Sequence, residues 1–126
     1  MRERSAPDLA LCGRFHRGIE LIGRRWTGAI VFVLLRSRCR YATLRAAIPD
    51  ITDRMLSERL QELEQEGIVD RTVVPETPVR VEYTLTKKGK ALAAAIDAMA
   101  AWAERWVDEE RPKAPARKRA RPPSKR

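Results

Sequence analysis

Residues 52–67 read TDRMLSERLQELEQEG, and this stretch decides the fold. Thr52 is a good N-cap, because a threonine hydroxyl accepts a bond from a free amide of the first helical turn. Neither glycine nor proline follows until Gly67, which suits the left-handed residue that closes a helix. At about 100° per residue, Met55, Leu56, Leu60 and Leu63 gather on one side. Arg54, Ser57, Glu58 and Gln61 lie opposite, so the spacing predicts a helix with an apolar back and a polar front. Just upstream, Tyr41 to Ile48 places Tyr41, Leu44, Ala47 and Ile48 on one face. Pro49 stops it, since the residue before a proline disfavours the helical region. Two helices joined only by Pro49 to Ile51 have the spacing of a helix-turn-helix.

Working outward, two more amphipathic segments precede this pair. Arg14 to Gly23 carries Phe15, Ile19, Leu21 and Ile22 at helical spacing, and Trp26 to Leu35 (WTGAIVFVLL) is almost wholly apolar. The second is too short to cross a bilayer and long enough for a buried helix. Trp26 is read as a packing residue. Beyond Gly67 the period changes to two. Ile68–Val74 and Arg80–Leu85 read as strands, with Val81, Tyr83 and Leu85 on one face. The loop PETPV between them holds two prolines and suits an exposed tip. Thr86 is placed to cap a last helix from Lys87 to Asp108. Its apolar positions Leu92, Ile96, Met99, Ala103 and Trp106 alternate spacings of four and three, a heptad seam for helix-on-helix packing. Trp102 widens that stripe. The expected fold is α+β and mainly helical: a winged helix-turn-helix with a two-stranded wing and flanking N- and C-terminal helices.

The chain has 126 residues and a formal net charge of +9. Eight of its 26 Lys and Arg lie in residues 111–126, which hold no acid, leaving 18 basic against 17 acidic residues before them. The expected division is therefore a folded domain over 1–110, nearly neutral, and a disordered basic tail over 111–126. A tail of that charge suits contact with the phosphate backbone, and simple solvation is the alternative. The opening residues MRERSAPD lack the apolar run of a secretory signal, so the cytoplasm, beside the nucleoid, is the expected location. Cys12 and Cys39 are then expected as free thiols. His16 is the sole histidine, and neither a Ser-His-Asp nor a Cys-His arrangement nor a glycine-rich phosphate loop is recognisable. The catalytic inventory argues against an enzyme, and neither a metal nor a cofactor is expected.

The strings IELIGRRWTGAI, RYATLRAAIPDITDRMLSERLQELEQEGIVDR and VPETPVRVEYTLTKKGKAL resemble the HxlR family of winged helix-turn-helix regulators, over roughly Cys12 to Ala98. The elements match in order, from the Ile-Gly-x-x-Trp entry to the second helix through to the Pro-Val-Arg-Val-Glu-Tyr wing. Arg24-Arg25 stands where many members have Gly-Lys, and Gln61 where Arg or Lys is frequent. The resemblance implies a homodimer on a palindromic double-stranded DNA operator, acting as a transcriptional regulator and more often a repressor. It implies dimer contacts from the first and last helices, which places Phe15, Ile19, Leu92, Ile96, Met99, Trp102, Ala103 and Trp106 at that interface. Some members respond to oxidants or electrophiles through a cysteine near the N-terminus, and Cys12 lies at about that place.

A helix fits the major groove of B-DNA and its outward side chains reach base edges. The front of the 52–67 helix offers Thr52, Asp53, Arg54, Ser57, Glu58 and Gln61, of which Arg54 is the leading contact because a guanidinium grips guanine or phosphate with two bonds. The alternative for Arg54 is an i,i+4 surface ion pair with Glu58. Arg59 projects near the apolar side, as a structural arginine or a DNA contact. Arg71 and Arg80 are the wing candidates, with solvated strand charges as the alternative. Arg40 and Arg45 flank the third helix, where phosphate contact is expected. For Cys12 the readings are a redox or electrophile sensor favoured by Arg14, Arg17 and His16, or a small buried apolar residue. A small-molecule or oxidant effector fits the first reading. A non-specific architectural nucleic-acid binder driven by the tail is the rival function, and a winged helix used only for protein contacts is another.

Overall fold

The computed structural model describes residues 10–108; the expected basic tail over 111–126 lies outside them. In chain order the elements are α1 (Gly13–Ile22), α2 (Thr27–Arg36), β1 (Cys39–Arg40), α3 (Tyr41–Ala47), α4 (Asp53–Gln65), β2 (Val69–Val74), β3 (Arg80–Leu85), α5 (Lys87–Lys90) and α6 (Ala93–Trp106). The described residues divide after Ile96 into two compact units.

The core belongs to the first unit. The apolar α2 contributes Ile30, Val31 and Leu34, α3 contributes Leu44, and α4 contributes Leu56, Leu60 and Leu63. Ile68, Val69, Tyr83 and Leu85 close it from the sheet side. This is the apolar back of α4 predicted from its spacing, with Met55 only half-buried at the margin. Trp26 packs partly buried against the same cluster, although it adopts a left-handed φ of 78° at the N-terminus of α2.

Each end of α4 is closed by the residue its sequence offers. Thr52 Oγ1 accepts from the Met55 amide at 3.1 Å. At the other end Gly67 takes φ +76°, the Ile68 amide donates to Leu63 O at 2.9 Å and the Gly67 amide to Glu64 O at 3.1 Å. That paired reversal is the Schellman closure, which only a residue tolerant of positive φ permits without strain. The turn into α4 uses Asp50 at φ 72°, a conformation that short polar side chains accept.

Two expectations change. The two-stranded wing is present as the β2–β3 hairpin, and β1 adds an unforeseen third strand, giving the antiparallel order β1-β3-β2 with Cys39 opposite Tyr83 and Arg40 opposite Glu82. Two residues are too few to announce a strand by alternation, which is why the pattern missed it. The last helix is not continuous either. Thr86 caps a single turn, its Oγ1 accepting from the Gly89 amide at 3.1 Å. The Leu92 amide then reaches back only three residues, to Gly89 O at 3.0 Å, and α6 starts afterwards. Gly89 explains the break: it is buried against Ile68, where an added Cβ would meet the Ile68 carbonyl and the Leu85 side chain.

Candidate nucleic-acid interface

The polar front of α4 is presented by a scaffold that fixes its first turn. The Tyr41 hydroxyl, at the start of α3, lies 3.0 Å from Asp53 O, 3.1 Å from Asp53 Oδ1 and 3.2 Å from Ser57 Oγ. Arg45 donates from Nε to Ile51 O at 3.0 Å and from Nη1 to Asp53 Oδ1 at 2.7 Å. Asp53 is thus the shared acceptor that ties α3 to α4. Sequence reasoning missed Tyr41, because its place on the apolar face of α3 hid the use of its hydroxyl.

The Arg54 side chain is 85% exposed, with Nε 3.2 Å from Glu58 Oε2. An exposed i,i+4 pair contributes at most about 0.5 kcal/mol, so Glu58 is a weak competitor for that guanidinium. Ser57 and Gln61 are exposed on the same front. Arg59 has the structural role instead. It is 6% exposed, donates from Nε to Arg25 O at 2.9 Å, and lies 3.3 Å from Glu62, which also pairs with Arg24 at 3.2 Å. The corner between α1 and α2 is thereby fastened to the middle of α4.

At the wing, Arg71 is exposed, whereas Arg80 is only partly so. Its side chain is 27% exposed and held by Glu76 at 2.8 Å and Glu82 at 2.9 Å. Glu82 shares the face of β3 that alternation gives Arg80, whereas Glu76 lies in the loop at the wing tip, outside any strand pattern. Arg40 is exposed beside β1; among the described residues no carboxylate pairs with Arg40 or Arg71.

The two thiols differ. Cys12 is exposed at the N-terminal boundary of α1. Cys39 is buried opposite Tyr83, and burial pushes its thiol pKa up. Helix α1 leaves Phe15 and Ile19 more than half exposed, as is Leu11 just before it. An apolar hollow of about 320 Å³ lies against it, lined by Phe15, Ile19, Ile22, Ile68 and Leu92. In the second unit Met99, Trp102 and Trp106 are exposed and Ala103 is half-buried. Ile96, which the resemblance places at the dimer interface, is instead 8% exposed in the protomer's own core. A heptad pattern records that a residue faces a neighbour without saying which one.

The sequence profile of the HxlR-like helix-turn-helix family matches residues 21–111. The chain belongs to this family. Among its HxlR-like relatives, the HTH-type transcriptional regulator YvaP of Bacillus subtilis is 49% identical over 98 residues, covering 78% of this chain and 91% of the relative. The reduced form of the transcriptional regulator YodB from the same organism superposes with a TM-score of 0.70 at 45% identity, covering 79% of this chain and 97% of that one. The redox regulator HypR in its oxidised form gives 0.72 at 34% identity, covering 76% and 99%. Like these HxlR-type proteins, the chain is a winged-helix transcriptional regulator.

Proposed function

We propose that this chain is a homodimeric, sequence-specific regulator of transcription, most simply a repressor, in which two copies of α4 enter successive major grooves about 34 Å apart. The observation that carries the reading is the outward front of α4. Arg54 stands 85% exposed on a helix whose back is locked into the core, and the first turn of that helix is pinned to α3. Ser57 and Gln61 extend that front, while Thr52 and Asp53 shape its start. Residues 1–110 form the domain that reads sequence, and the basic run over 111–126 adds backbone attraction without sequence information. Self-association uses two surfaces considered separately: the open stripe of α1 with Phe15 and Ile19, and the exposed Met99, Trp102 and Trp106 of the second unit. A protein of this kind works beside the nucleoid in the cytoplasm, and among the described residues no helix is long and apolar enough to cross a membrane.

The signal in this reading is an oxidant or electrophile that modifies Cys12. Its support is the exposure of that thiol at the start of α1 and the likeness to the redox regulator HypR. The apolar hollow against α1 is the place for a small-molecule effector.

The test is enrichment of a duplex from a random pool by the full chain, followed by titration. A palindromic product whose affinity drops about tenfold in Arg54→Ala is expected, the scale of one lost bidentate contact. Unchanged affinity in that variant, or a chain indifferent to duplex sequence, overturns the reading in favour of a tail-driven binder. For the signal, diamide should weaken wild-type binding and leave Cys12→Ser unaffected; an equal response of both removes Cys12 as the sensor.

A further inference from the structure

The wing is short of positive charge. Between Val69 and Leu85 it holds Asp70, Glu76 and Glu82 against Arg71 and Arg80, so as a whole it repels a phosphate backbone. Beside it lies a cleft of about 340 Å³, with Arg40, Tyr41 and Ala42 on one side and Glu76, Pro78 and Arg80 on the other. Two guanidiniums therefore border one space, and only one of them is neutralised.

The two carboxylates on Arg80 are unequal. Glu82 is 15% exposed, lies in the middle of β3 and is also approached by Arg38 at 3.5 Å. It holds Nε and is a fixed partner. Glu76 is 49% exposed in the loop at the wing tip and holds Nη1 at 2.8 Å. Such an exposed pair is weak, with solvent ready to replace either member. A phosphate oxygen accepts the same kind of charged hydrogen bond as a carboxylate, and in this cleft it also meets Arg40, which Glu76 does not pair with.

We infer that the cleft is a seat for one DNA backbone phosphate gripped by Arg40 and Arg80, and that Glu76 is a gate that occupies Arg80 until the phosphate displaces it. The inference rests on the DNA-binding reading above and adds a residue that opposes binding. Glu82 keeps the guanidinium oriented throughout. When the phosphate arrives, Glu76 turns to solvent and is hydrated there.

The experiment measures affinity by fluorescence anisotropy, over a series of salt concentrations, for the full chain and the duplex it enriches from a random pool. Glu76→Gln is expected to tighten binding about threefold, the scale of an exposed pair. The slope of log affinity against log salt is expected to stay as in wild type, because the same phosphate is neutralised in both proteins. Arg80→Ala is expected to weaken wild-type binding and to abolish the gain from Glu76→Gln in the double variant. An equal gain with and without Arg80 would mean that Glu76 repels the duplex as a free charge, and overturns the gate. No gain from Glu76→Gln, or no loss from Arg80→Ala, overturns it as well. If Arg54→Ala still weakens binding in that case, the reading of α4 survives and only the phosphate seat falls. A wild-type chain that enriches nothing removes both.

Discussion

Arg59 shows how one residue decides between two meanings of positive charge. Its neighbours in sequence, Glu58 and Leu60, leave the choice open, and the sequence could not tell a DNA contact from a structural arginine. Only the distant backbone carbonyl of Arg25, 2.9 Å from Nε, settles it. Removing a buried partner leaves the other unsatisfied, at a cost of about 1–3 kcal/mol. Arg59→Ala should therefore lower stability by that amount in urea unfolding, whereas Arg54→Ala should leave stability within about 0.5 kcal/mol. The thiols make a similar contrast. Iodoacetamide should label Cys12 in the native protein and Cys39 only after unfolding, because Cys39 is 6% exposed. Burial raises the Cys39 pKa, so as pH rises the unfolded chain ionises that thiol first. Its contribution to stability is intact at neutral pH and is lost as pH climbs through and beyond the ordinary thiol range. A shallower alkaline loss of stability in Cys39→Ala checks this; an unchanged profile contradicts it.

At the scale of elements, α4 was legible from end to end. Its leucines, its N-capping threonine and its closing glycine are all local signals, and the structure uses each one as the spacing predicts. The strand Arg80–Leu85 was equally plain, since its alternation needs no partner to be recognised. What escaped were features defined by contact across the chain, namely the two-residue β1 and the gathering of Tyr41 and Arg45 around the Asp53 carboxylate. Gly89 belongs to this class. In sequence it is one weak helix former between lysines, and in the fold it is the point where α5 meets Ile68. Gly89→Ala raises helix propensity by about 1 kcal/mol yet forces a methyl into the Ile68 carbonyl. Overpacking wins, and thermal unfolding should report a net loss of about 1–3 kcal/mol; a gain in stability would show that α5 can shift away from Ile68.

At the scale of the whole molecule, charge is nearly balanced over residues 1–110 and apolar surface is not fully covered. Residues 1–110 hold nearly equal numbers of acids and bases, and most arginines near the front of α4 and on the wing are already paired. Helix α1, by contrast, leaves Phe15 and Ile19, one turn apart on one face, at 59% and 54% exposure. Phe15→Glu should shift sedimentation toward monomer and weaken operator binding with little change in helix content; a variant that sediments like wild type would detach α1 from self-association. A last consequence comes from the closure at Gly67. Only Glu66 to Ile68 separate α4 from β2, and the Ile68 amide is bonded back to Leu63, so groove reader and wing share a single rigid frame. If α4 enters the groove as proposed, fitting both at once falls to the duplex, which would bend or narrow to suit that frame. Base steps that no side chain touches would then be selected for how cheaply they deform.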